Sequence, residues 1–232
     1  MAEARTEMMP MPAIALRTKT NAMPSKTAMM RGSSEYYSLR ATILDVGKAF
    51  LEPQGRVLDL NCADGCWSEP LVQHFGFSQR FIALSSNEED VNACLNRFRL
   101  QVRLGEMEVG TLDLGERFPK NASRLIISVN GLGVLSNVRR QEVLGMIKTC
   151  LERKGAFLMI ERVETVEERL AALLPAHADM ALDERTGRKD REITSRLWSA
   201  PHWEEELREA GFRRIDRIWA SGPYVGWLAS KD

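Results

Sequence analysis

The chain has 232 residues, 44% of them hydrophobic and 28% charged, which predicts one sizeable folded domain and excludes a disordered chain. Lys plus Arg and Asp plus Glu number 32 each, so the formal net charge is zero and a strong non-specific grip on nucleic acid is not expected. No apolar run reaches the roughly 18 to 20 residues that cross a bilayer, and the four cysteines do not indicate a disulfide scaffold, so a cytoplasmic protein without membrane association is predicted.

Residues 1–34 are predicted to be a flexible methionine-rich leader. Seven of the 11 methionines fall in the first 30 residues, and from Met8 to Ser34 there are four basic residues and no acidic one. Organelle transit peptides share this bias. Two interpretations stay open: a poorly ordered leader or expression remnant, and a tail that folds over the mouth of a site.

After the leader, strand-like and helix-like segments alternate, which is typical of an α/β domain with a mostly parallel sheet. Apolar residues at helical spacing predict helices over 36–51 and 139–153, and Pro201 begins a further helix over 201–210. In the helix over 139–153, Arg140 is placed on the polar face, opposite Val143 and Ile147. Seven strands are predicted, over 56–60, 80–84, 100–104, 124–129, 156–161, 213–220 and 224–229.

The stretch over 162–200 interrupts this alternation before the last helix. It is long and irregular, and its centre is rich in charged residues. An insertion after a strand of an α/β domain is often a lid or a wall of the substrate site. We therefore predict a lid or substrate wall over 162–200.

The turn after the first predicted strand carries the strongest chemical signal. Asp59 and Leu60 end an apolar run, and Asn61-Cys62-Ala63-Asp64-Gly65 then leads into a helix near Trp67. In doubly wound sheets, ligands bind at the carboxyl ends of the central strands, where a helix N-terminus offers free N–H groups. The turn is therefore predicted to be a ligand site.

This turn resembles the first motif of the class I S-adenosylmethionine-dependent methyltransferases, roughly D-x-G-x-G-x-G after a hydrophobic strand. Asp59 and Gly65 match it, whereas Asn61 and Ala63 replace two glycines. Asparagine tolerates left-handed backbone angles well, and alanine adds only one methyl group. The resemblance implies a Rossmann-like fold of seven strands, mostly parallel, with helices on both faces, and S-adenosylmethionine as cofactor.

Later positions extend the resemblance. Ser85 stands where most of the family has an acidic residue for the ribose, although Ser86 and Asn87 are also explained by helix capping. Gly105-Glu106-Met107 is similar to the step that holds adenine, with Gly110-Thr111-Leu112 as the alternative register. Asn130 follows the fourth strand, where the family faces the sulfonium, or it forms an Asn-Gly turn. The resemblance implies as cofactor-binding residues Tyr36, Asp59, Asn61, Cys62, Ala63, Gly65, Ser85, Ser86, Glu106, Met107 and Asn130.

A closer resemblance, over residues 35–232, is to the carboxy-S-adenosylmethionine synthase branch. In that family prephenate is used to make a carboxylated cofactor for wobble-uridine modification of transfer RNA. Tyr36, Cys62, Asn130 and Glu161 match the branch in register. The segment ending at Arg196 is similar to the one whose arginine holds the added carboxylate, which implies that Arg196 faces that carboxylate.

Other residues are weighed for chemistry. Cys62 and Cys66 are too few to make a structural zinc site, so no metal is predicted. The candidates for a catalytic base are Tyr36, His177 and His202, because each can exchange a proton and the two histidines lie in or beside the predicted lid. Trp198 and Tyr224 join Arg196 as predicted substrate-binding residues.

Three hypotheses on function remain. The first is a methyltransferase that uses S-adenosylmethionine on a small-molecule or biosynthetic substrate. The second is a carboxy-S-adenosylmethionine synthase or a user of that cofactor. The third is a degenerate, non-catalytic relative that serves as a binding protein, which the altered glycines and Ser85 favour. Relatives often pair as dimers, so a homodimer is an open expectation.

Overall fold

A computed structural model of the chain describes residues 33–112, 120–165 and 198–232. Its α-helices are α1 (Ser34–Phe50), α2 (Glu69–Phe75), α3 (Glu88–Arg97), α4 (Arg99–Arg103), α5 (Asn137–Cys150) and α6 (Ala200–Glu209). Its strands are β1 (Arg56–Leu60), β2 (Arg80–Ser85), β3 (Met107–Thr111), β4 (Ser123–Val129), β5 (Leu151–Arg162), β6 (Arg214–Ser221) and β7 (Tyr224–Ser230). Nearly all of the predicted leader and most of the predicted lid lie outside the described residues.

The seven strands form one sheet in the order β3-β2-β1-β4-β5-β7-β6. The strands β1 to β5 pair in parallel, and β7 runs antiparallel to both β5 and β6. This confirms the predicted mostly parallel sheet of seven strands. The order reverses direction between β1 and β4, and such a reversal leaves a crevice for ligands at the carboxyl ends of the strands.

Side chains alternate along each strand, so the sheet has two buried faces. Val57, Leu125 and Ile127 pack on the face covered by α1, α2 and α3, whereas Leu58 and Ile126 pack on the face covered by α5 and α6. Helices therefore cover both faces, as predicted. Within the described ranges, no helix is both long and apolar enough to cross a membrane.

The third strand is not where the sequence pattern placed it. Residues 100–104 belong to α4 and the turn after it, and β3 begins at Met107. The alternation of Leu100, Val102 and Leu104 with polar residues suggested a strand, but only Val102 packs against the core, and Leu100 and Leu104 are exposed. Gly105, at a φ of 73°, reverses the chain so that β3 starts beside the first residues of β2.

Arg140 is not on a polar face. Its side chain is fully buried between α5 and α6. The spacing was informative, because Arg140 lies three residues before Val143 and seven before Ile147, on the same stripe as these buried residues. Arg140 was predicted to be exposed because it is charged. That prediction is wrong, because Glu206 of α6 supplies a buried counter-charge.

Candidate functional site

The turn after β1 keeps the backbone of a glycine motif although two glycines are missing. Asn61, Ala63 and Gly65 all have left-handed φ values, of 72°, 50° and 83°. The carbonyl of Leu84 at the end of β2 accepts hydrogen bonds from the N–H groups of Asn61 and Cys62, at 2.8 and 2.9 Å. All three motif positions therefore adopt the conformation for which glycine is normally used.

Glycine is retained where a side chain has no room. A Cβ atom on Gly65 would lie 2.3 Å from Cε2 of Phe98 and 3.1 Å from Sγ of Cys94. Gly131, after β4, faces the turn from the other side, and a Cβ there would lie 3.0 Å from Cβ of Asn61. The turn is therefore packed tightly between α3 and the loop that follows β4.

We expect Ala63→Gly to leave the free energy of unfolding nearly unchanged, within about 0.8 kcal/mol in either direction. Relief of the left-handed alanine, about 1 to 2 kcal/mol, offsets one lost buried methyl group, about 0.8 kcal/mol, and the added freedom of the unfolded chain, about 0.4 to 1 kcal/mol. The matched control is Ala41→Gly at an exposed position of α1, where about 0.5 to 1 kcal/mol should be lost. Urea denaturation measures both variants, and a larger loss for Ala63→Gly than for Ala41→Gly would contradict the strained conformation.

Asp59 lies beneath the turn, on the face covered by α1 to α3. Its carboxylate is fully buried, and Oδ2 accepts a hydrogen bond of 2.6 Å from the Ser68 hydroxyl at the start of α2. Burial raises the pKa of Asp59 to about 7, and the hydrogen bond from Ser68 opposes that rise. Asp59 thus joins the end of β1 to the start of α2, and its Oδ1 atom has no hydrogen-bond partner.

A network of ion pairs holds the outer side of the turn. Arg97 of α3 donates from Nε to the Asp64 carbonyl at 2.8 Å and also pairs with the Asp64 carboxylate. Its Nη1 atom contacts Glu69 at 2.8 Å, and Arg40 of α1 contacts the same glutamate at 2.7 Å. Three helices therefore fix the position of the turn.

Tyr36 belongs to this network. Its hydroxyl accepts a hydrogen bond of 3.1 Å from Arg40, and its ring lies 5.6 Å from the Trp67 ring. Burial is the largest cause that raises the pKa of Tyr36. The structure therefore brings this candidate to the predicted turn, with its hydroxyl held by a guanidinium group.

A cavity opens at the carboxyl ends of β1 and β4, on the face covered by α5. It has a volume of about 20 Å³, room for about one water molecule, and its lining is mostly apolar: Leu60, Asn61, Leu112, Ser128, Gly131, Leu132, Leu135 and Val143. The buried Ser128 Oγ and Asn130 Oδ1 atoms have no hydrogen-bond partner. Asn61 crosses the crevice and donates from Nδ2 to the Val129 carbonyl at 2.9 Å. The site thus combines an apolar wall with polar atoms available to a ligand.

Ser85 lies at the same edge of the sheet, at the end of β2. Its buried hydroxyl donates to Asp90 at 3.3 Å and accepts from the Asn87 N–H at 3.2 Å. Asn87 in turn caps α3 by accepting from the Glu89 N–H at 3.0 Å. The hydroxyl is therefore engaged in the start of α3, and the neighbouring Ser86 is exposed.

The predicted adenine contact of Glu106 and Met107 is contradicted by the position of β3. It required a strand ending at residue 104, but Met107 is the first residue of β3 and pairs with Phe81 near the start of β2. Both residues therefore lie at the amino ends of the strands, opposite the cavity. The alternative register is at the correct edge, because Thr111 ends β3 and Leu112 lines the cavity.

His202 lies in a polar cluster at the start of α6. Its Nε2 atom is 3.0 Å from Glu206 Oε1, and its ring stacks on Trp198 with 4.1 Å between centroids. Arg140 contacts both Glu206 oxygens at 2.5 Å and donates to the Leu135 carbonyl at 3.1 Å. Leu135 lines the cavity, so the hydrogen bond from Arg140 to Leu135 connects the polar cluster to the cavity wall.

Glu161 is a second buried carboxylate near the cavity. It lies close to the end of β5, and its oxygens accept hydrogen bonds from the N–H groups of Leu132 and Gly133. Burial raises the pKa of Glu161 to about 7, against these hydrogen bonds and the charge of Arg140. Sequence reasoning noted Glu161 only as a family match, and it missed the Arg140–Glu206 pair.

The remaining candidates are divided between the two faces of the sheet. Trp198 packs on the face of the cavity, together with His202, whereas Tyr224 packs on the opposite face. His177 and Arg196 lie outside the described residues.

Cys62 is a buried free thiol, and a hydrogen bond with Cys94 raises its pKa. No group of three metal-binding side chains occurs in the part of the chain that the structure describes.

Solved structures share this architecture. A methyltransferase dependent on S-adenosylmethionine from Aquifex aeolicus matches with a TM-score of 0.63 and 19% identity, over 90% of this chain and 98% of that one. The CurJ carbon methyltransferase matches with a TM-score of 0.63 and 15% identity, over 88% of this chain and 56% of that one. An O-methyltransferase family 2 protein from Planctomyces limnophilus, solved with apigenin, matches with a TM-score of 0.63 and 17% identity, over 89% of this chain and 60% of that one.

These matches show the fold. The chain has the Rossmann-like fold of class I S-adenosylmethionine-dependent methyltransferases. It spans little more than half the length of the CurJ and DszA carbon methyltransferases, at 56% and 57%. No protein-family model matches the sequence, and no curated protein matches it.

Proposed function

We propose that this chain is an S-adenosylmethionine-dependent methyltransferase that acts on a small-molecule substrate. The observation that carries the proposal is the left-handed backbone at Asn61, Ala63 and Gly65. Two of these residues are not glycine, so the turn keeps a strained conformation that its sequence does not favour. Backbone strain of this kind is often kept where a ligand must approach the main chain.

The polar and apolar groups at the carboxyl ends of β1 and β4 match the chemistry of such a cofactor. The turn at 61–65 and the unpartnered Asn130 Oδ1 atom would hold its amino-acid portion, and Leu112 would contact its base. The sulfonium of S-adenosylmethionine supplies an activated methyl group when it is bound. The chain then needs to align the acceptor and exclude water, which the apolar lining favours.

His202 is the proposed base where the acceptor must lose a proton. Its contact with Glu206 orients the ring, because an imidazole that donates from Nε2 presents Nδ1 as the acceptor. Stacking on Trp198 restricts the ring further. This arrangement of a base oriented by a second group is the one that general-base catalysis uses.

The two alternatives are distinguished by different residues. The carboxylated cofactor depends on Arg196, outside the described residues, and no described contact favours it. The non-catalytic alternative is favoured by Asn61, whose side chain bridges β1 to β4 and narrows the crevice. A homodimer and a cytoplasmic location stay predictions from the sequence.

Calorimetry with S-adenosylmethionine, S-adenosylhomocysteine and the carboxylated cofactor tests the proposal. Asn130→Gly should weaken S-adenosylhomocysteine binding about tenfold or more, because glycine keeps the φ of 53° but removes a hydrogen bond to a charged group. The matched control is Asn121→Gly, an exposed asparagine with a φ of 48°, and binding should be unchanged. Absence of wild-type binding at millimolar concentration would reject the enzyme and favour the non-catalytic alternative.

A further inference from the structure

Glu161 connects the end of β5 to the loop that follows β4. Its side chain is 3% exposed. Oε1 accepts from the Leu132 N–H at 2.7 Å, and Oε2 accepts from the Gly133 N–H at 3.2 Å. One carboxylate thus satisfies two consecutive backbone donors of the loop, and the proposed transfer of a methyl group does not otherwise require it.

The loop has little freedom around this carboxylate. A Cβ atom on Gly133 would lie 3.0 Å from Oε2 and 3.8 Å from Cζ2 of Trp203. Gly131 and Leu132, in the same loop, line the cavity. A change in the hydrogen bonds of Glu161 is therefore transmitted directly to the wall of the candidate site.

We propose that the ionised carboxylate of Glu161 is a positioning residue that holds the loop over 131–133 in its ligand-binding conformation, and that protonation of Glu161 weakens ligand binding. The inference rests on the proposed function for the identity of the ligand. A carboxylate accepts at both oxygens, whereas a carboxylic acid carries a proton on one of them. Protonation therefore leaves one buried N–H without a full acceptor, and the longer bond to Gly133 is the weaker of the two.

The charges around Glu161 place this change near neutral pH. Arg140 of α5 attracts the carboxylate, but it is already paired with Glu206 of α6, which also contacts His202. On β7 the residue opposite Glu161 is the uncharged Val225, and Arg162 follows Glu161 in the chain. Burial therefore dominates, and it raises the pKa of Glu161 to about 7.

As the pH rises and Glu161 ionises, folding stability and ligand binding should change in opposite directions. Because the folded pKa is raised from 4.5 to about 7, the contribution of Glu161 to stability is fully present below pH 4.5 and is lost as the pH rises to 7. Ligand binding instead strengthens over that range as the carboxylate ionises. A loss of binding at low pH through general unfolding would not give this combination.

The experiment measures S-adenosylhomocysteine binding at pH 8 and pH 6. For wild type we expect the Kd to rise about tenfold at pH 6, because only about one molecule in eleven then has an ionised Glu161. Glu161→Gln should bind weakly at both values, since the amide offers one acceptor oxygen and places N–H groups against the second donor. Glu152→Gln, at the opposite end of β5, is the matched control and should follow wild type.

Amide hydrogen exchange provides a readout that needs no ligand. After correction for the intrinsic effect of pH, the Gly133 amide should exchange faster at pH 6 than at pH 8 in wild type and at one rate in Glu161→Gln. Gly133→Ala, which displaces Oε2 without changing the titrating group, should also bind weakly at both pH values. Asp59 beneath the turn also has a pKa of about 7, so the comparison is with wild type: a Kd that changes as much between pH 8 and 6 in Glu161→Gln as in wild type would overturn the inference. A Gly133 amide whose protection in wild type is unchanged between pH 8 and 6 would overturn it as well. Absence of any binding at pH 8 would reject the proposed function and leave the exchange result to decide on the loop.

Discussion

Arg140→Ala is expected to lower the free energy of unfolding by about 3 to 5 kcal/mol, because it leaves the Glu206 carboxylate buried without its main counter-charge. The pair is bidentate, with both contacts at 2.5 Å, and the two side chains are 0% and 4% exposed. Arg140 also donates to Leu135 and Asn137 and lies over the rings of Trp198 and Trp203. Its removal therefore affects α5, α6 and the loop between β4 and α5 together.

The next residue in the chain is the control. Arg139 is paired with Glu142 at the surface, where the two side chains are 36% and 53% exposed, and exposed pairs contribute about 0 to 1 kcal/mol. Arg139→Ala should therefore change stability little. The double variant Arg140→Met with Glu206→Leu should recover most of the loss, because replacing a whole buried pair with apolar residues is often close to neutral. Urea denaturation measures all three variants, and equal losses for Arg139→Ala and Arg140→Ala would refute the buried pair.

His202→Gln is expected to reduce turnover roughly 100- to 10,000-fold, the usual contribution of a general base. Glutamine still contacts Glu206 through its amide, but it has no nitrogen that accepts a proton near neutral pH. The affinity for S-adenosylhomocysteine should be unchanged, because His202 does not line the cavity at the turn. Release of S-adenosylhomocysteine in the presence of an accepted small molecule measures the rate, and calorimetry measures the affinity.

His74→Gln is the matched control for this substitution. His74 is an exposed residue of α2 and lies on the other side of the sheet from α6, so both rate and affinity should stay at the wild-type values. A His202→Gln variant with wild-type turnover would exclude this residue as the base. Equal losses in rate and affinity would instead assign His202 to ligand binding.

Much of the fold could be predicted because local patterns agree with the tertiary structure. Buried parallel strands are short, mostly apolar runs, and Val57–Leu60 and Leu125–Val129 follow this pattern, each with one polar residue, Asp59 and Ser128. Ser33, Asn87 and Ser199 cap the helices that follow them, through side-chain oxygens that accept backbone N–H groups. The helices predicted over 36–51 and 201–210 are confirmed as α1 and α6, and of these three caps only Asn87 was predicted from the sequence.

The third strand shows where such patterns fail. Residues 100–104 alternate apolar and polar side chains as a strand does, but most of them belong to the five-residue helix α4. Periodicity over so short a segment does not separate the two. The position of β3 is set by its pairing with β2. Met107 lies beside Phe81 and Thr111 beside Ser85, so the strand ends at the edge of the sheet where Leu112 lines the cavity.

The sequence alone determined the alternation of strands and helices, apart from the exact place of β3, and the turn at 59–65, because these depend on neighbouring residues. Only the tertiary structure decided which charged side chains are buried. Arg140 and Glu206 are 66 residues apart, and Glu161 is 28 residues from Gly133. A buried charge is stable only with a partner, and when that partner is distant in the chain, its identity depends on how the helices and strands pack together.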